Sequence, residues 1–175
     1  MRLGLALFAM PGIVFHELGH YIFCKLVGAR VHELVLFRFG NPAGYVVHTA
    51  PSRFIGHFGV VMGPFVVNSA VAFAIFRASS SRLIYLSPSG LSQPLDLALS
   101  LLALWWGIAI ALQAFPSKAD ARSLWHGAGA HLRRGNLLAV VGYPFVALIY
   151  AANIMKSGHL DFGYAIALFI VASAL

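Results

Sequence analysis

The 175-residue sequence predicts an all-α polytopic membrane protein: about five transmembrane helices, a small β-hairpin between the first two, and a single domain. Three observations carry that prediction. They are an apolar composition, five apolar stretches of spanning or near-spanning length, and a polar cluster inside the first stretch that hydrocarbon alone would not tolerate. Hydrophobic residues make up 60% of the chain, and the 17 glycines bring the sum to about 70%, against about 45–50% for the same set in a soluble domain. Only 10% of residues are charged, where a water-facing surface needs about 25%. A soluble globule is excluded, and a lipid bilayer is the partner that fits. The 12 Lys and Arg against 5 Asp and Glu leave a net charge of +7. These basic residues are scattered among apolar runs instead of lining a stripe with aromatics, which argues against nucleic acid. The single cysteine, Cys24, excludes an internal disulfide and a multi-cysteine zinc cage.

A spanning helix needs about 20 mostly apolar residues. Residues 3–27, 55–76, 95–115 and 137–155 meet or approach that length, and 162–175 is the shortest. Arg2 before an apolar run has the look of a secretory leader, but no small-residue cleavage site follows, so the first stretch is expected to be a retained helix. Residues 31–39 and 45–48 are rich in β-branched and aromatic side chains and flank Asn41-Pro42-Ala43-Gly44, a sequence suited to a tight turn. Phe115-Pro116-Ser117 should end one helix and begin another carrying Trp125, His126, His131, Arg133 and Arg134, which is expected to lie at the membrane interface. Trp105 and Trp106 fall mid-span and are expected to pack between helices.

Lys and Arg near span ends set orientation. Lys25, Arg30, Arg38, Arg53, Lys118, Arg122, Arg133 and Arg134 fall on one side, eight in all, against Arg2, Arg77, Arg82 and Lys156, four, on the other. The N-terminus is therefore expected outside.

The chemistry is concentrated in His16-Glu17-Leu18-Gly19-His20, an H-E-x-x-H pattern within a helix. Residues four apart share a helix face, so both imidazoles can converge on one Zn²⁺ with Glu17 beside it. The alternative is two buried histidines and a glutamate that fit a short pattern by chance. It is weakened because a charged group at hydrocarbon depth costs roughly 2.5–3.5 kcal/mol unless paired or coordinated. A catalytic zinc takes three protein ligands and leaves one position for water. A histidine six residues past His20 is ruled out by Leu26, and Cys24 lies about 12 Å along the axis from His16. Cys24 is better read as a buried apolar residue. Glu33 falls in the hairpin. Of Asp96, Asp120 and Asp161, only Asp120 falls at the same end of the bundle as the histidines. Ser117-x-x-Asp120 also reads as a helix capping box, so ligand and cap both stand as readings of Asp120.

H-E-L-G-H in an early transmembrane helix, Gly63-Pro64 followed by Asn68 in the next, and an aspartate after a proline beyond the third together resemble the three-helix core of the site-2 protease family of intramembrane zinc metalloproteases. The likeness runs over roughly residues 12–120. It implies a catalytic core of residues 1–120 with the hairpin at 31–48, followed by an interfacial helix and accessory transmembrane helices in 121–175. It also implies a Zn²⁺ cofactor held by His16, His20 and Asp120, with Glu17 as the acid/base group. The substrates implied are transmembrane proteins or peptides, cut in or near their membrane segments. The expected location is multi-pass in a prokaryotic plasma membrane, with the site nearer the cytoplasmic face. Counting back from Leu26 puts the metal about 9–15 Å below that face, so a water-filled cavity must reach it.

A helical substrate cannot be cut while its backbone is fully hydrogen-bonded. The hairpin can hold an unwound segment as an added strand, or serve only as a connector. Asn68 can bind the substrate backbone or bond to a neighbouring helix. Gly59-x-x-x-Gly63 is a close-packing motif. His32, His48, His57, His126, His131 and His159 read as partly wet bystanders near the interface, His48 and His57 being nearest the site. The competing functions are a di-iron membrane oxidase, which needs several histidine boxes where only one exists, and a metal-binding membrane protein or transporter that does not turn over. A structural site has no use for Glu17, which argues against the latter.

Overall fold

Helices dominate the computed structural model, which describes residues 3–84, 94–155 and 160–174. Arg2, Lys156, His159, Leu175 and the side chain of Arg82 lie outside the described residues. The order is α1 (Leu3–Leu26), β1 (Val31–Val35), β2 (Tyr45–His48), α2 (Phe54–Ile84), α3 (Pro94–Leu112), α4 (Lys118–Leu132), a 3-10 turn (Leu137–Val141), α5 (Gly142–Met155) and α6 (Leu160–Ala174). Among the described residues, four segments are long and apolar enough to cross a membrane: Gly4–Leu26, Phe54–Ser80, Leu95–Leu112 and Leu137–Ile154. The expected fifth span is α6, whose 15 residues reach about 22 Å, short of the roughly 30 Å hydrocarbon core. Leu5, Ile55, Leu95, Leu148 and Ile166 are exposed on the helices, an outer surface suited to lipid and not to water.

Each boundary has a local cause. α1 ends where Gly28 takes a left-handed φ of 70° and the Ala29 N–H reaches back to the Cys24 carbonyl at 2.8 Å, satisfying an end-of-helix acceptor. α2 runs past the expected residue 76 because its serines need no outside partner: Ser79 donates to the Ile75 carbonyl and Ser80 to that of Arg77. α3 stops at Leu112 instead of 115, since Pro116 disfavours helical backbone before it. The fourth apolar stretch is split into the 3-10 turn and α5, with Pro144 in the first turn of α5, where its missing N–H costs nothing.

The hairpin is antiparallel, pairing Glu33 with Val47, Leu34 with Val46 and Val35 with Tyr45, with a register shift between Val31 and Glu33. Its connection is longer than the tight turn expected at 41–44, spanning residues 36–44 between the strands. It is braced by the Arg38 N–H on the Ala43 carbonyl at 2.7 Å.

α1, α2 and α3 form the centre. A Cβ on Gly19 would stand 2.7 Å from the Pro64 Cα, and one on Gly63 would stand 2.8 Å from the Gly19 carbonyl oxygen. The Gly59–Gly63 motif thus does bring α2 against α1. Phe76, Ile110 and Ala111 pack with Ala165 and Ala172 of α6. One face of α4, the helix expected at the interface, packs into the bundle. Its Ala121, Leu124 and Ala128 are buried with Phe54 and Val61 of α2 and Val146 and Ile149 of α5, so it is a member of the bundle. His131 is buried there too, edge-on to Phe54. His57 is likewise buried, its Nε2 3.1 Å from the Ser123 hydroxyl. Neither sits in the partly wet setting expected, and neither joins the cluster of His16, His20 and Asp120. Trp106 is exposed rather than packed between helices, while Trp105 donates its indole N–H to the Phe8 carbonyl.

Candidate metal centre

His16 and His20 lie one turn apart on α1, where helical spacing stacks them on one face, and their rings meet edge to face at 5.0 Å between centroids. Asp120 enters from the first turn of α4. Its Oδ1 lies 3.2 Å from His20 Nε2, and its Oδ2 lies 3.7 Å from His16 Nε2. One ligand atom from each of the three residues falls within 4.8 Å of the others. A tetrahedral zinc with ligands at about 2.0–2.2 Å holds neighbouring donors roughly 3.3–3.6 Å apart, so this donor set matches the ion in chemistry and in span.

The far side of each imidazole is also fixed. His16 Nδ1 lies 2.8 Å from the Gln113 carbonyl, and His20 Nδ1 lies 2.8 Å from the Val60 carbonyl. A carbonyl only accepts, so each Nδ1 carries a proton and each Nε2 is turned towards the site, where its lone pair becomes a ligand once it gives up any proton shared with Asp120. These carbonyls come from α2 and from the turn after α3, and no sequence motif announces a backbone acceptor.

Asp120 makes the capping box expected of it and also faces both imidazoles. Oδ2 accepts the Ser117 backbone N–H at 2.6 Å, and the Asp120 N–H donates to the Ser117 hydroxyl at 3.2 Å. The same carboxylate therefore starts α4 while facing the imidazoles. Burial pushes its carboxyl up, but the His16 and His20 imidazoles more than reverse this and hold it well below the usual carboxylate range. It is anionic, the form that binds metal.

Glu17 is buried beside this set and lines a cavity of about 470 Å³ with His16, His20 and Asp120. The opposite wall is the hairpin, through residues 41–46 and His48, and the remainder includes Gln113, Phe115 and Ser117. Gly44 presses on the glutamate: a Cβ there would stand 2.7 Å from the Glu17 Cγ and 3.0 Å from the Leu36 carbonyl oxygen. Gly44→Ala is therefore expected to push Glu17 aside; on the peptidase reading proposed below, a displacement near 1 Å lowers turnover by about 10²-fold with zinc content unchanged. Peptide cleavage and metal analysis on the same preparation check it.

Asn68 does not reach this cavity. It is fully buried, and its amide nitrogen donates to the Gly12 carbonyl at 3.2 Å and the Ile110 carbonyl at 3.1 Å. Both of its hydrogens are committed inside the bundle, the arrangement of the interhelical alternative, which leaves neither to donate to a substrate. Gln113, overlooked in the sequence, lines the cavity together with Asn41 of the hairpin. Its signal was an uncharged polar residue at the inner end of an otherwise apolar helix. The chain matches no protein-family model, no curated protein and no solved structure.

Proposed function

We propose that this chain is an intramembrane zinc metalloendopeptidase, similar to the site-2 protease family, hydrolysing peptide bonds in or near transmembrane segments of membrane-protein substrates. The observation that carries the reading is the convergence of two Nε2 atoms and one carboxylate beside a buried glutamate in an open cavity. The chain is multi-pass with its N-terminus outside, in a prokaryotic plasma membrane, and its site lies nearer the cytoplasmic face.

Zinc, when bound, supplies the Lewis acidity that acidifies a water towards neutral pH and polarises the scissile carbonyl. His16, His20 and Asp120 hold it, with the tautomers set by the Gln113 and Val60 carbonyls. Glu17 takes the proton of the attacking water and hands it to the amine nitrogen as the C–N bond breaks. Gln113 also lines the cavity, and its side-chain amide is a candidate donor to a substrate carbonyl. β2 pairs with β1 along one edge, and its Tyr45, Val46 and His48 line the cavity. An unwound substrate segment can add to the other edge, its main-chain groups bonded by strand pairing with little demand on sequence.

The test is the zinc content of the purified chain together with cleavage of a model transmembrane peptide. The expected result is about one zinc per chain, as for a three-ligand site, with cleavage abolished by a chelator and restored by added zinc. A chain that binds zinc and never cleaves would make this a metal-binding or transport protein. Equal cleavage without metal would remove zinc from the mechanism.

A further inference from the structure

Away from the metal centre, α4 and α5 leave a second cleft of about 390 Å³, walled by Arg122, Trp125, Tyr143, Val146, Ala147 and Tyr150. The two helices run antiparallel. The Asn153 amide donates to the Pro116 carbonyl at 3.0 Å, and the Tyr143 hydroxyl lies beside Gly129. The cleft has two chemistries. One is cationic: Arg122 is exposed, its Nε donates to the Lys118 carbonyl, and exposed Lys118 lies one turn away on the same helix. No described carboxylate forms an ion pair with Arg122. The other is aromatic and aliphatic: Trp125 meets Tyr143 edge-on at 4.8 Å between centroids, and the Tyr143 and Tyr150 hydroxyls make no hydrogen bond among the described residues. Exposed Leu137, Leu138, Val140, Val141 and Leu148 continue an apolar surface on the 3-10 turn and α5.

We propose that the α4–α5 cleft is a binding site for one anionic phospholipid, with Arg122 and Lys118 on the phosphodiester and Trp125, Tyr143 and Tyr150 around the glycerol and the first acyl methylenes. A guanidinium forms paired hydrogen bonds to phosphate oxygens. Amphipathic rings suit the headgroup level, where one end of the ligand is polar and the other is not. Basic pockets between membrane helices select anionic headgroups. A free phosphate would leave the three aromatic faces of the cleft uncovered. The site depends on the chain residing in a bilayer, but not on bound metal or peptidase activity.

The test uses the full chain with Trp105→Phe and Trp106→Phe, which leaves Trp125 as the sole tryptophan of the three. It is reconstituted in phosphatidylcholine nanodiscs holding a small fraction of brominated lipid. Brominated phosphatidylglycerol is expected to quench Trp125 about fivefold more effectively than brominated phosphatidylcholine at equal mole fraction, the factor for one basic group at the membrane surface. Arg122→Gln should bring the two lipids to parity, and Lys118→Gln should reduce the preference in part. Equal quenching by both lipids in the parent overturns the proposal, as does an undiminished preference in Arg122→Gln. Displacement of the lipid by millimolar inorganic phosphate would mark a free-anion site and also overturn it. So would burial of Trp125 between two copies of the chain, seen by cross-linking, without lipid selectivity. Zinc content and peptide cleavage play no part in this readout, so its failure and that of the peptidase reading are distinct.

Discussion

Glu17→Gln is expected to keep its zinc and lose peptide cleavage by about 10²–10⁴-fold, the usual contribution of a positioned proton-transfer group. The two side chains have nearly the same volume, so the contact with Gly44 survives. None of the ligating atoms belongs to residue 17, and the Nδ1 hydrogen bonds that aim the imidazoles are untouched. What disappears is the basicity: a carboxamide cannot accept a proton at neutral pH. The loss should fall on kcat, with KM nearly unchanged, because the interaction removed is one made only as the proton moves. Single-turnover cleavage with parallel metal analysis separates the cases. Robust turnover would remove Glu17 from the chemistry, and loss of zinc would place it among the ligands.

Asp120→Asn isolates the ligand role of that residue from its role in starting α4. The carboxamide oxygen can still accept the Ser117 N–H, and the backbone N–H at residue 120 can still donate to the Ser117 hydroxyl. The helix start is retained, whereas the anionic oxygen facing His20 at 3.2 Å is replaced by a neutral amide. Zinc affinity is expected to fall by more than the 10–100-fold typical of losing a group that merely orients a ligand. Thermal stability of the zinc-free protein should change little. Asp120→Ala, by contrast, should lose the metal and about 1 kcal/mol of capping stability as well. Titration against a competing chelator, with thermal unfolding of the metal-free forms, provides the comparison. Full zinc affinity in Asp120→Asn would reduce Asp120 to a cap.

Much of this architecture is legible in one dimension because hydrocarbon imposes simple rules. Apolar length marks α1, α2, α3 and the segment leading into α5, and the β-branched and aromatic residues around Asn41-Pro42 mark the hairpin. The H-E-x-x-H spacing places His16 and His20 on one helix face, and the count of crossings puts Asp120 at their end of the bundle. Hydropathy fails where lipid and protein interior are equally apolar. It cannot tell that Trp106 faces outward, that α4 buries Leu124 and Ala128 against α2 and α5, or that His57 and His131 are enclosed. The partners of Asn68 are hidden for a related reason. An intramembrane amide announces that a partner exists, but the partners are the main-chain carbonyls of Gly12 and Ile110, and a carbonyl has no letter in the sequence. The same silence hides the Val60 and Gln113 carbonyls that set the tautomers.

That buried amide has a mechanical consequence. One side chain on α2 ties the backbones of α1 and α3 together at a level where Gly12 already lies against the Ala109 carbonyl. Prising any of the three apart would strand polar groups in a dry interior, at a cost of about 1–3 kcal/mol for each. The inner trio is therefore expected to move as one unit, and any opening of the bundle falls to the elements packed around it.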